Sequence, residues 1–334
     1  MAGSVVIGLS AVVIAIKDGE AVVLTVRATD PRTRRASPLA GLPSGPFDPV
    51  GRRTFELALR AFVKEQTGFE LGYVEQLYTF GDEGRDAPLA DLGGAGGSGE
   101  HRIVSVGYLA LAPGAVTAAR PDTEWSPWTR FFPWEDWRRG RPAVIDERLA
   151  PALRDWAGKG DVGTARWARA RLLFALEGAR WNEERVLDRY ELLYEAGLMP
   201  EAERDRQRAR GVDAPEPTGS LPALGEPMAS DHRRILATGL ARLRGKLKYR
   251  PVVFELMLGA FTLSALQRTV EAISGVSLHK QNFRRMVERT GLVEGLGRFD
   301  EETGGRPAEL FRFRREILNA APVSGLSLPM LRDG

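Results

Sequence analysis

Cysteine is missing from all 334 residues, which excludes disulfides, thiol catalysis and cysteine-ligated metal and suits a reducing compartment. Histidine is nearly missing. His101, His232 and His279 are scattered, a poor basis for a histidine metal cluster or a histidine-based triad. No run reaches the roughly 18 to 20 apolar residues that span a bilayer. The apolar start "SVVIGLSAVVIAI" lacks the positive flank of a signal peptide and reads as the first arm of a hairpin. These absences lead us to expect a cytoplasmic protein with no membrane partner.

What is present is charge, unevenly spread. From Ser230 to Gly334 there are 18 Lys and Arg against 11 Asp and Glu, a net of +7 in a chain whose total is +3. A regional positive excess points to an acidic partner, nucleic acid first, for the C-terminal part.

Along the chain, "SVVIGLSAVVIAI", "AVVLTVRA", "YVEQLYTF" and "RIVSVGYLALA" read as strands. Thr54 is placed to cap a helix from about 55 to 66, with Phe55, Leu59, Phe62 and Val63 on one face and Gly68 at its end. The glycine-rich run Gly93 to Gly99 lacks the Gly-Lys-Ser/Thr of a phosphate loop and reads as a hairpin tip. From Trp125 to Met199 the chain turns rich in Trp and Arg. "TARWARARLLFALEG" and "NEERVLDRYELLYEAGL" read as an antiparallel helix pair, with arginine stems covering tryptophans. "PEAERDRQRARGVDAPEPTGSLPALGEP" lacks periodicity and reads as a linker.

The C-terminal part carries the clearest local grammar. In "FTLSALQRTVEAISGVSLHKQNFRRMVERTGLVEGL", Thr262 is set to cap one helix, Gly275 to turn the chain, and Ser277 to cap a second helix that ends at Gly291. The second helix gathers Phe283, Met286 and Val287 on one side and offers Lys280, Gln281, Arg284 and Arg285 elsewhere. That is the layout of a recognition helix for a major groove. The segment after Gly291 reads as a hairpin with an acidic tip (Asp300, Glu301, Glu302), so the whole forms a winged helix.

The "AFVKEQTGF" of residues 61 to 69, preceded by the loop "GLPSGPFDP", resembles the closing part of the Nudix hydrolase motif, where a helix supplies carboxylates for divalent metal. On that resemblance Ala61, Phe62 and Gln66 stand where the motif has Arg, Glu and Glu, and Glu65 alone survives. One carboxylate binds a hard divalent cation weakly, so the expectation is no enzyme activity and no required cofactor or metal. With "EQLYTFGD", "KYRPVVFELM", "FTLSALQRTVEAI", "NFRRMVERTGLVE" and "GRPAELFRF" added, the chain resembles the Nudix-related transcriptional regulators of NAD metabolism, most of all their larger proteobacterial branch. The resemblance implies an α+β chain: a Nudix-like α/β/α sandwich with a mixed sheet over 1–145, a helical segment over 146–200, a linker over 201–230, a winged helix-turn-helix domain over 231–320 and a tail over 321–334.

It implies further a homodimeric repressor that binds a palindromic operator in double-stranded DNA and senses ADP-ribose, NAD or a related nucleotide. Candidate effector contacts are Arg27, Gly45, Phe47, Glu65, Arg85 and Arg102. Candidate DNA contacts are Lys280, Gln281, Arg284 and Arg285, with Lys246, Lys248 and Arg306 on phosphates. Two other readings stay open: an active Nudix pyrophosphohydrolase using Asp82 or Glu83, and a module whose helical segment recruits a protein partner.

Overall fold

The structure is a computed structural model that describes residues 4–27, 39–48, 50–51, 53–82, 101–114, 120–210, 224–257, 259–300 and 307–316. Strands β1 (Ser4–Lys17) and β2 (Glu20–Val26) form a hairpin whose Lys17 pairs with Glu20. The two residues between them, Asp18 and Gly19, both have positive φ (52° and 79°), the geometry that matches strand twist in a two-residue turn. β3 (Ser44–Pro46) pairs with the earlier part of β1, β4 (Tyr73–Phe80) with β5 (His101–Leu111), and β6 (Thr123–Pro127) with β2. β1 and β5 run parallel at the centre of the order β4-β5-β1-β2-β6, so the sheet is mixed.

β1 is apolar at nearly every position because both its faces are covered. Leu9, Ala11, Val13 and Ala15 face α1 (Phe55–Thr67), packing with its Leu59 and Val63. Thr54 caps α1 by accepting from Leu57 N at 3.2 Å, and Gly68 closes it at φ 73°, both as the sequence suggests. Val12 and Ile14 face the other way, onto α6 (His232–Tyr249). A Cβ at Gly239 would stand 2.9 Å from Val12, and one at Gly107 would stand 3.1 Å from Ile235, so helix and sheet approach closely at two glycines. α6 is thus the second helical layer of the sandwich. The boundary expected at 231 groups it with the winged helix, and one continuous core joins it to the sheet, the inserted helices and the winged helix alike.

Between β6 and α6 lie α2 (Ala150–Ala157), α3 (Gly160–Leu173), α4 (Val186–Glu195) and α5 (Pro200–Ala209). Their shared core includes Trp128, Phe131, Phe132, Trp134, Phe174 and Tyr190, all fully buried. The arginines do lie over the tryptophans: Arg154 is 3.8 Å from the Trp167 ring centre and Arg166 is 4.9 Å from that of Trp156. α5 corrects the linker reading. Residues 200–209 are helical, and beside Ala202 the buried residues are charged ones: Arg204 holds Asp205 at 2.7 Å and Ser230 O at 2.8 Å, while Tyr194 OH donates to Asp205 at 2.9 Å. Charges buried in pairs leave no apolar periodicity for sequence to display.

The C-terminal domain contains β7 (Phe261–Thr262), α7 (Leu263–Ser274), α8 (Lys280–Thr290), β8 (Val293–Asp300) and β9 (Ala308–Phe313), with strand order β7-β9-β8. Thr262 caps α7 through Ala265 N at 3.1 Å, and Gly275 makes the turn at φ 72°. Ser277 does not cap α8, which starts after His279 without a side-chain cap. Its hydroxyl donates instead to Arg138 O at 2.6 Å, a tertiary bond that outcompetes the local one. The hairpin tip at 301–306 lies outside the described residues.

This domain is docked on the sandwich through the end of α7. Trp128 Nε1 donates to Ala272 O (3.1 Å), Arg244 Nε to Ile273 O (2.9 Å) and Trp137 N to Gly275 O (2.6 Å). Beneath the contact, the fully buried Glu135 carboxylate receives Arg189 from α4 (Nη2, 2.8 Å) and Arg244 from α6 (Nη1, 2.5 Å). One carboxylate therefore ties α4 to α6, and Arg244 carries the link on to the winged helix at Ile273 O.

Candidate functional site: an effector face and a nucleic-acid face

The candidate effector face is built by β3 leaning on α1. Gly45 lies over the Phe62 ring, with a built Cβ 3.6 Å from it, and Phe47 meets Phe55 edge-on at 4.6 Å between centroids. Gln66 fastens the two elements: Nε2 donates to Ser44 O at 2.6 Å and Oε1 accepts from Ser44 N at 3.2 Å. A carboxylate could accept there but could not donate. The residue in the place of a motif Glu is thus suited to closing the backbone rather than to holding a cation, and Phe62 fills the place of another with an aromatic ring. Glu65 is exposed on the outer side of α1. Among the described residues no three His, Asp or Glu side chains come together as a metal site.

Other candidates fall around this face unevenly. The bridge between Val26 and Gly41 brings Arg27 beside the segment that leads into β3, and Arg27 N donates to Asp122 O at 2.9 Å. Arg102 stands opposite Val5 in the β1–β5 ladder, its side chain outside the described residues, as are Arg85 and Glu83 altogether. Asp82, the other carboxylate considered for hydrolysis, is ion-paired with Arg234. Sequence reasoning missed His232. Its Nδ1 accepts from Leu42 N at 3.1 Å, so that nitrogen carries no proton, and it pins the segment before β3 to α6 across 190 positions.

The nucleic-acid face centres on α8. Phe283, Met286 and Val287 are buried, and Lys280, Gln281, Arg284 and Arg285 are all exposed. The 100° step per residue divides the four. Gln281 and Arg285 point directly away from the buried stripe. Lys280 and Arg284 lie on the flank that lines a cleft of about 1200 Å³ between α8, α7 and the wing, where Arg268 of α7 joins them and Asp300 and Glu309 form part of the opposite wall. Arg268 was not singled out in the sequence. Lys246 and Lys248, the expected phosphate contacts, are held by acids: Lys246 by Glu75, and by Tyr73 OH (3.0 Å), on β4, and Lys248 by Glu183 (3.0 Å) and Glu184 (2.5 Å), just before α4. Burial would raise the Glu75 carboxyl, but the bonds from Lys246 and Tyr73 outweigh it and hold the group below its ordinary range. Arg306 lies outside the described residues.

With this geometry in view, the comparisons are specific. Residues 253–313 match the NrtR DNA-binding winged helix domain. The C-terminal domain is similar to the NrtR winged helix. An ADPR responsive transcriptional repressor, NtrR of Acinetobacter baylyi, is 40% identical over 91 residues, which are 27% of this chain and 36% of that protein. The match thus spans about a third of that relative's length. In overall fold the chain is similar to Shewanella oneidensis NrtR in complex with a 27mer DNA, at 20% identity and a TM-score of 0.54, covering 97% of this chain and 99% of the other. It is also similar to a MutT/nudix family protein from Enterococcus faecalis, at 15% identity and a TM-score of 0.50 over 94% and 89% of the two chains. The architecture is therefore α+β, as expected from the sequence: a mixed-sheet sandwich followed by a winged helix, in a fold similar to those of the two solved structures.

Proposed function

We propose that this protein is a DNA-binding transcriptional repressor of genes for NAD biosynthesis or salvage, which senses ADP-ribose, NAD or a related nucleotide through a Nudix-like domain without hydrolytic activity. The observation that carries the reading is α8: an exposed Lys280, Gln281, Arg284 and Arg285 set over a buried apolar stripe, inside a segment that matches a DNA-binding family. The repressor role of the Acinetobacter relative supports it. The loss of a carboxylate cluster from the helix that supplies metal ligands in Nudix hydrolases supports the inactive sensor, since a sensor that cleaves its signal erases it. The protein works as a homodimer on a palindromic operator, because two recognition helices related by a twofold axis read two half-sites.

The effector arm is tested by isothermal titration of the purified protein with ADP-ribose and with NAD, alongside an assay for AMP release in Mg²⁺. Saturable binding without AMP is expected. Steady AMP release, abolished in Glu65→Gln, would replace the sensor with a hydrolase.

A further inference from the structure

The winged helix is not alone at the nucleic-acid face. A loop from the other part of the chain, between β6 and α2, is fastened to the turn that leads into α8. Trp137 N donates to Gly275 O at 2.6 Å, and Ser277 Oγ donates to Arg138 O at 2.6 Å. Ser277 stands three residues before Lys280, where α8 begins. Arg139 follows directly on the carbonyl that Ser277 holds, so it lies beside the N-terminal end of the helix that carries the candidate DNA contacts. The loop is fixed in several ways. It closes as a tight turn, with Gly140 N donating to Trp137 O at 3.1 Å and Gly140 at φ 98°. Trp137 stacks on Trp181 at 4.5 Å between centroids. The Arg138 guanidinium is held by Asp136 (2.8 Å) and by Glu20 of the β1–β2 hairpin (2.5 Å). Arg139, by contrast, is exposed and has no ion pair among the described residues.

A helix lying in a major groove about 12 Å wide has a phosphate strand on each side, and groups beside its N-terminal end meet one of them. A guanidinium placed there can hold a phosphate through two parallel hydrogen bonds. Carried on an ordered loop, it gives up less freedom on binding. We infer that Arg139 contacts the DNA backbone at the edge of the sequence that α8 reads, so that a duplex is held by both parts of the chain. This rests on the proposed DNA-binding role. Such a contact fixes register without reading bases. Because Arg139 lies outside residues 253–313, it meets the same duplex as α8 only while the winged helix is docked through Gly275 and Ser277. Duplex and docking therefore favour each other, and a nucleotide that shifts the docking changes DNA affinity without touching α8.

The test uses the full-length chain, a labelled duplex from upstream of NAD biosynthesis genes and a scrambled duplex of the same length, followed by anisotropy over a salt series. Arg139→Ala should weaken both duplexes by the same factor, about tenfold at low salt, and lower the slope of log K against log salt by about one, with an unchanged melt. Arg139→Lys should restore the slope, since charge is what releases counterions. Phosphate ethylation interference on the first duplex should lose a position at the edge of each half-site in Arg139→Ala. Selective binding whose slope and interference pattern are the same in the wild type and in Arg139→Ala overturns the contact and leaves the repressor reading standing. Equal binding of the two duplexes, with a slope that still falls in Arg139→Ala, keeps the contact and overturns the repressor reading. A chain that binds neither duplex overturns both.

Discussion

Gln66 bears most directly on the proposed loss of hydrolysis. Its amide both donates to and accepts from Ser44, so Gln66→Glu would lose the donated bond and set a carboxylate against a carbonyl oxygen. A loss of about 1 to 3 kcal/mol is expected, measured by urea denaturation, with no gain of hydrolysis. On α8 the division of faces makes a second prediction. Arg285→Ala should cost about 1 to 3 kcal/mol of operator binding and relax sequence preference, whereas Arg268→Ala should weaken all duplexes alike and lower the salt slope by about one. Binding to mutated half-sites over a salt series checks both. Thr54, Gly68, Thr262 and Gly275 could be read from sequence because caps and turns are local chemistry. Lys246 and Lys248 could not, since the acids that hold them, Glu75 and the pair Glu183 and Glu184, lie far off along the chain.

At the scale of elements, strands, α1 and α8 were legible from periodicity, and α5 and the placement of α6 were not. α6 offers apolar residues to the sheet at Gly239, a fit that shows only once Val12 is beside it. The same helix delivers Arg244 to Glu135, where Arg189 also ends. Removing the carboxylate leaves two buried guanidinium groups facing each other, so Glu135→Ala is expected to destabilise the fold by about 3 to 5 kcal/mol. Chemical denaturation measures it, and a change under about 1 kcal/mol would mean the triad is not a joint. Because Arg244 also holds Ile273 O, the same variant should loosen the winged helix, seen as faster amide exchange at the end of α7.

For the whole molecule, acid should separate the parts before it unfolds them. Burial would raise Asp136, but hydrogen bonds and charge from Arg138 prevail and hold it below its usual range; Glu75 is held down in the same sense. A carboxyl depressed in the folded state stabilises it fully above the unfolded value of about 4 and ceases to do so as pH falls through the folded value. Arg138 also presents the carbonyl that receives Ser277, so the winged helix should undock over that acidic window. Asp205, pushed up by burial, acts in the opposite direction and softens the dependence. A pH series of small-angle scattering and melts checks this.

Sensing and DNA binding meet in one experiment. A fluorescent duplex from upstream of NAD biosynthesis genes is titrated with the protein at fixed salt, with and without ADP-ribose or NAD, and followed by anisotropy. Tight, sequence-selective binding that one of these nucleotides shifts is the predicted result. Weak binding that is indifferent to sequence and unmoved by either nucleotide would contradict it.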